Sequence, residues 1–160
     1  MANIALTSIG AKVSYCVETT AGQRPTTDYV RITGLRSTPD FNIAPSTGDG
    51  TTFENEKYTT KVPLLREMPD ILEFNAVLGQ EFFNNWSTLV SASKTGRESD
   101  KQTWFCIDIK GLDESIYFTG EPIDMGIPAM EQNSVIECPV YIVPTGEPVL
   151  STDPTYKSGE

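Results

Sequence analysis

Hydrophobic residues recur at every second position in three successive stretches of the chain, residues 103–110, 115–120 and 134–143. A period of two is typical of a β-strand with one buried face. The longest stretch divides into two faces, one of Ile136, Cys138, Val140 and Ile142 and the other of Val135, Glu137, Pro139, Tyr141 and Val143. The second face is neither wholly polar nor wholly apolar, so its environment needs a separate explanation.

The same period predicts strands over residues 11–19, 29–32 and 70–78, the last with Leu72, Phe74 and Ala76 pointing inward. The period changes to three and four between Gln80 and Ser93, where Phe82, Phe83, Trp86, Leu89 and Val90 form the stripe of one amphipathic helix. We expect the stripe to pack on the core and Thr95-Gly96 to end the helix. The pattern therefore predicts a mainly β fold, a sandwich or barrel with one flanking α-helix.

A long segment over about residues 41–62 has few core-sized apolar residues. Such a loop is uncommon inside a compact domain and is usually either a functional loop or a hairpin that projects to another molecule. Its second half, residues 52–60, is β-prone and charged, which favours a projecting strand that pairs with a neighbouring molecule. The candidates for contact with another subunit are Phe53, Glu54, Glu56, Lys57 and Tyr58.

The length of 160 residues supports one domain, which we place at residues 1–148, followed by a flexible C-terminal tail at 149–160. A basic leader before an apolar core is absent, and apolar runs fall short of the ~20 residues needed to cross a bilayer. We therefore expect synthesis in a cytoplasm and no membrane insertion by this chain.

Histidine is absent, which removes the commonest general base and the commonest metal ligand. The three cysteines, Cys16, Cys106 and Cys138, are far apart and lack zinc spacing, so we expect buried free thiols in a reducing compartment. The residues indicate a protein that is not an enzyme and holds no cofactor or metal.

Acidic residues outnumber basic ones 22 to 12, which argues against a protein that grips nucleic acid through its phosphates. Residues 101–147 hold eight acidic and two basic residues. Asp108 and Glu137 each lie in the middle of a predicted strand, opposite its apolar face. One interpretation is a carboxylate-only hydrolase that uses them as acid and base, but a chance pair is expected among so many acids.

Six short pieces of the chain, in this order and spacing, resemble the tail tube proteins of long-tailed bacteriophages, which are related in fold to the tube protein of type VI secretion. The resemblance spans Gly10 to about Pro148. The pieces are Gly10-Ala11-Lys12-Val13-Ser14-Tyr15, Ile32-Thr33-Gly34-Leu35, Ile71-Leu72-Glu73-Phe74, the helix at Gln80, Tyr117-Phe118-Thr119-Gly120-Glu121-Pro122 and Pro144-Thr145-Gly146-Glu147-Pro148.

The resemblance implies a hexameric ring with a shared inner β-barrel, stacked into a tube that conducts viral DNA to the host without binding it specifically. It implies a virion protein that is made in the host cytoplasm and has the tape measure and other tail proteins as partners. Asp108 and Glu137 would face the lumen, and the 41–62 loop would reach a neighbouring subunit or ring. The alternative within the same fold is a tube of a secretion system or a phage-tail-like particle that carries effectors.

Overall fold

A computed structural model describes residues 5–158, which form ten strands and one helix. The strands are β1 (Lys12–Val17), β2 (Val30–Ile32), β3 (Leu35–Ser37), β4 (Thr47–Asp49), β5 (Lys61–Pro63), β6 (Leu72–Val77), β7 (Thr103–Asp108), β8 (Glu114–Pro122), β9 (Glu137–Pro144) and β10 (Val149–Thr152); the helix α1 is Gln80–Glu98. The chain divides into two compact units, residues 1–39 with 70–160 and residues 40–69.

The larger unit is an antiparallel eight-stranded sheet in the order β2-β1-β7-β8-β9-β6-β3, with β10 also paired to β8. The sheet curls into a nearly closed barrel, and its two end strands, β2 and β3, follow one another in the chain. Only Thr33 and Gly34 join them, and Gly34 takes a positive φ of 87° that suits glycine. The mainly β fold with one helix is confirmed.

The inner face of the sheet carries the main core. Its fully buried side chains come from β6, β7, β8 and β9 and include Leu72, Phe74, Phe105, Phe118, Val140 and Ile142. The inward positions predicted for β6 and β9 are confirmed, because each inward residue of one strand pairs with an inward residue of the other. The pairing continues without a shift through Asn75 and Pro139, so Glu137 lies on the opposite face.

Helix α1 packs on β8, β1 and β2 through the predicted stripe, of which Phe82, Trp86, Leu89 and Val90 are buried. The assignment of Phe83 to this stripe is wrong, because its side chain is 49% exposed. The Trp86 indole donates a 2.9 Å hydrogen bond to the Ile123 carbonyl. The prediction that the helix ends at Thr95-Gly96 is wrong, since the helix continues to Glu98. Gly96 lies buried inside the last turn, where the absence of a side chain lets the helix approach β1.

The outer face of β1, β7 and β8 is also buried, which the simple alternating pattern did not predict. Cys16, Tyr29, Cys106 and Tyr117 form a second core, with Trp104 and Tyr156 packed against it. The cover comes from the C-terminal segment. Strand β10 pairs with β8, and Tyr29 donates its backbone N–H to Thr155 and accepts from Lys157.

Residues 149–158 are therefore placed on the sheet by backbone pairing. Strand β10 pairs with the first half of β8, on the same edge where β9 pairs with the last three residues of β8. Residues 159 and 160, the end of the tail expected to be flexible, lie outside the described residues, as do residues 1–4. The mobility of the tail in an isolated subunit stays a prediction.

The smaller unit, residues 40–69, is a two-stranded hairpin of β4 and β5. Its pairing runs from Thr47 with Pro63 to Asp49 with Lys61. The two strands therefore lie on either side of residues 52–60, the segment predicted to be a strand. The predicted strand over residues 52–60 does not form; these residues are the connection between β4 and β5. Between residues 5 and 158 no strand pairs with them, so their β propensity is not satisfied by a partner.

Candidate assembly surfaces

The tip of the hairpin exposes large apolar side chains to solvent. Phe53 is fully exposed and Tyr58 is 84% exposed, and the other three candidates, Glu54, Glu56 and Lys57, are exposed beside them. The tip is nevertheless ordered by local bonds. The Asp49 carboxylate accepts hydrogen bonds from the Thr51 backbone N–H at 2.9 Å and the Thr51 hydroxyl at 2.6 Å, which lower its pKa. A hydrogen bond from the Thr52 hydroxyl likewise lowers the pKa of Glu54.

The prediction that Asp108 and Glu137 each lie in the middle of a strand is wrong, since Asp108 is the last residue of β7 and Glu137 is the first of β9. Both lie on the outer face of the sheet, but they are not brought together. Asp108 lies near the start of β8, because its neighbour Ile107 pairs with Ile116. Glu137 lies beyond the other end of β8, because the pairing of β8 with β9 stops at Pro122 and Ile142, five residues after Glu137 in the chain. The two carboxylates therefore lie toward opposite ends of the strands on either side of β8. This placement gives no acid–base pair of the kind that the hydrolase interpretation requires.

Each of these two acids has a local partner. Asp108 is half-buried, pairs across the ladder with Lys12, and accepts a 3.3 Å hydrogen bond from the Tyr156 hydroxyl. Glu137 is exposed and forms an ion pair with Arg36. Lys12 also lies over the Tyr156 ring, with its ammonium 5.1 Å from the ring centroid. Neither carboxylate is a bare negative charge in the isolated chain.

The acid-rich segment 101–147 is partly neutralised by basic residues from elsewhere in the chain. Besides the Arg36–Glu137 pair, Arg97 contacts Glu121 at 2.9 Å and Lys94 contacts Asp124 at 3.1 Å. Exposed pairs of this kind contribute about 0–1 kcal/mol each to stability. Counting charges by segment could not show this, because the basic partners come from β3 and α1 rather than from the segment itself.

One buried carboxylate, Glu18, was not singled out by the sequence pattern. It is 3% exposed and accepts hydrogen bonds from the Gly22 and Gln102 backbone N–H groups, at 3.0 and 3.1 Å, and from the Trp104 indole at 2.9 Å. Burial alone would raise the pKa of Glu18, but the three hydrogen bonds outweigh it and lower the pKa below its ordinary value. Glu18 thus joins the end of β1 to the start of β7 and has a structural role.

The three cysteines are buried free thiols, as predicted. Burial raises the pKa of Cys16 and of Cys106 to about 11, so both stay protonated at neutral pH. Within residues 5–158, no group of three or more His, Cys, Asp or Glu side chains is arranged to hold a metal ion. The helix in that range is not long and apolar enough to cross a membrane.

A cleft of about 560 Å³ opens in the larger unit where β2 and β3 leave the barrel unclosed. Its apolar lining is Leu6, Val13, Ile32, Leu35, Ile107 and Ile109. The charged residues that line it, among those the structure describes, are Arg31 and Arg36. The cleft is therefore an apolar depression with a basic rim in a strongly acidic chain.

The connection between β8 and β9 in the larger unit also exposes apolar side chains. Residues 123–135 have no regular structure and expose Ile123, Ile127, Met130 and Val135. Ile127 is 92% exposed. The charged residues of the segment are Asp124 and Glu131, both acidic.

The sequence matches no protein-family model and no curated protein. Its fold is similar to that of a chain in the cryo-EM structure of the anti-feeding prophage baseplate, which was symmetrised six-fold. The TM-score is 0.57, and the alignment covers 95% of this chain and 98% of the other at 9% identity. This chain and that chain therefore share a fold over nearly their whole lengths, and at 9% identity the likeness extends to the fold alone.

Proposed function

We propose that this chain is a structural subunit of a phage tail or phage-tail-like particle. The observation that carries the proposal is the fold shared along 95% of the chain with a component of a six-fold symmetrised prophage baseplate. Exposed apolar residues on the hairpin tip and on residues 123–135 support it, because large exposed apolar patches usually mark contact surfaces. In this proposal the chain is not an enzyme and needs no cofactor.

The more specific form of the proposal is a tail tube protein. Six copies close into a ring, the rings stack, and the resulting tube conducts viral DNA from the virion to the host without binding it specifically. The partners are further copies of this chain, the tape measure and other tail proteins. Ring closure and stacking would also cover sheet edges that are an aggregation hazard in a monomer.

A tube or baseplate-proximal ring of a phage-tail-like particle that carries effectors is the second candidate. The specific observation in its favour is that the similar chain belongs to an anti-feeding prophage particle. The two candidates share the subunit and the ring and differ in what passes through the tube.

The hairpin tip is the proposed contact with a neighbouring subunit or ring, with Phe53 and Tyr58 as its apolar anchors. Aromatic residues are favoured anchors at interfaces, because they bury a large area when a partner covers them. Glu54, Glu56 and Lys57 would form the polar rim around them.

The test is self-assembly of the purified chain at high concentration, measured by sedimentation and negative-stain microscopy. We expect rings for the natural sequence and loss of rings for Phe53→Ser/Tyr58→Ser. The matched control is Phe83→Ser, which changes an exposed aromatic residue on α1. If the hairpin variant assembles as the natural chain does, the hairpin is not part of the interface. A chain that stays monomeric with and without its neighbouring tail proteins would contradict the proposed function.

A further inference from the structure

The cleft beside β2 and β3 and the exposed 123–135 segment have complementary chemistry. Val13, Ile32 and Ile107 line the cleft and are almost fully buried, so its floor is a continuation of the core. The rim is basic. Arg31 is exposed and forms no ion pair among residues 5–158, whereas Arg36 is paired with Glu137.

Residues 123–135 have the opposite character. They present Ile127 and Met130 to solvent, and their charges are negative. Asp124 is already paired with Lys94, while Glu131 forms no ion pair within the described part of the chain. An apolar segment with an unpaired acid therefore matches an apolar cleft with an unpaired arginine.

We propose that residues 123–135 of one copy of this chain dock in the β2–β3 cleft of the next copy. Ile127 and Met130 fill the apolar cleft, and Glu131 pairs with Arg31 across the interface. The proposal rests on the self-assembly that the proposed function assigns to the chain. The proposal adds to that self-assembly which two surfaces of neighbouring copies meet, residues 123–135 and the β2–β3 cleft.

The cleft and residues 123–135 are formed by different residues of the chain, so a contact between them on two copies is head-to-tail. A head-to-tail contact repeats from copy to copy and closes into a ring when the rotation between copies divides a full turn. A face that met itself would instead give a two-fold dimer and end there. Complementary charge also sets the register of such a contact and disfavours like faces.

Site-directed crosslinking tests which surfaces meet. Two differently tagged variants are mixed under assembly conditions, one with Ser37→Cys at the rim of the cleft and one with Ile127→Cys, and then oxidised mildly. We expect a Ser37–Ile127 heterodimer and rings that remain intact. The native thiols are buried, and a Ser91→Cys variant on the exposed side of α1 measures random collision.

Charge reversal tests the pairing. Arg31→Glu and Glu131→Arg should each raise the concentration needed for assembly about tenfold or more, because each places like charges opposite one another. The double variant should recover most of that loss. Both residues are exposed, so the monomer should unfold as the natural chain does.

The outcomes separate this inference from the proposed function. Three results would overturn the inference and leave the proposed function standing. The rings form without a Ser37–Ile127 product, they give an Ile127–Ile127 product, or they give a crosslink between Phe53→Cys and Ser37→Cys. The last product would make the hairpin the occupant. Absence of any assembly by the natural sequence together with its tail partners would overturn both.

Discussion

Gly96 of α1 lies so close to Val17 of β1 that a Cβ atom on Gly96 would come within 2.7 Å of the Val17 Cγ1. Real Cβ atoms do not approach other atoms so closely, so the glycine sets the distance between the helix and the sheet. The same residue occupies the last turn of the helix without ending it.

Gly96→Ala is therefore expected to destabilise the chain, although alanine favours a helix by about 1 kcal/mol over glycine. Overpacking against Val17 should cost about 1–3 kcal/mol. Chemical denaturation of the monomer measures the difference. Ser91→Ala, at an exposed position of the same helix, controls for helix propensity. In the double variant with Val17→Ala the cost of Gly96→Ala should fall; an equal cost in both backgrounds would rule out the Val17 contact as its origin.

Glu18→Gln should destabilise the folded chain by about 1–3 kcal/mol at neutral pH. The substitution replaces one of the two acceptor oxygens, which face three hydrogen-bond donors, with an NH2 group that is itself a donor. The pKa of Glu18 is lowered on folding from its ordinary value of 4.5. The stabilisation that the ionised carboxylate gives to the folded chain is therefore fully present above pH 4.5, and it is lost as the pH falls through the lowered pKa of the folded state. The stability difference between the natural chain and Glu18→Gln should narrow as the pH falls from about 6 to about 3.

Denaturation curves across this pH range make the measurement, with the exposed Glu98→Gln as the control. A difference that stays constant with pH would show that Glu18 acts through packing rather than through its charge.

Removal of the C-terminal segment should destabilise the larger unit. A chain that stops after Pro148 loses β10, the Tyr156 ring and the hydrogen bond from Ser115 to Asp153. The second core around Tyr29 and Tyr117 would then face water, at a cost of several kcal/mol by the scale of ~25 cal/mol per Å² of apolar surface. Comparison with a chain that stops after Lys157 isolates the effect. Equal stability of the two would agree instead with a tail that is flexible in the isolated subunit.

Lysine at both Asp108 and Glu137 should leave ring assembly intact and slow the passage of DNA, if these residues face the lumen. Glu137 is exposed, so loss of its Arg36 pair should change monomer stability by about 1 kcal/mol or less. Lysine at Asp108 removes the acceptor of the Tyr156 hydroxyl and faces Lys12 across the ladder, so denaturation of the monomer is the control for folding. Electron microscopy of rings and the kinetics of genome release from particles make the two measurements. Failure of a folded double variant to assemble would place the residues in an interface rather than on the channel wall.

The fold was predictable where one face of an element is buried and the other is not. The alternation of β6 and β9 and the stripe of α1 follow directly from that condition, and the structure confirms their inward residues except Phe83, which is exposed. Gly96 misled the prediction, because glycine serves close approach as well as helix termination. The second core around Cys106 was missed, since its cover comes from residues far away in the chain, about which a local pattern carries no information.

The candidate sites were less predictable than the fold. The hairpin candidates could be selected, because a long segment without core residues is conspicuous in any sequence. The ion pair between Arg36 and Glu137 joins residues 101 positions apart, and no local signal marks it. The cleft between β2 and β3 exists only because the barrel stays open there, which depends on the strand order rather than on any motif.

A cryo-EM map of the particle that contains this chain tests the central claim most directly. The account predicts six copies around the particle axis in each ring, with residues 123–135 of one copy seated in the β2–β3 cleft of the next. A map that places the chain away from the axial rings, or that shows it as a monomer without contacts between copies, would contradict the account.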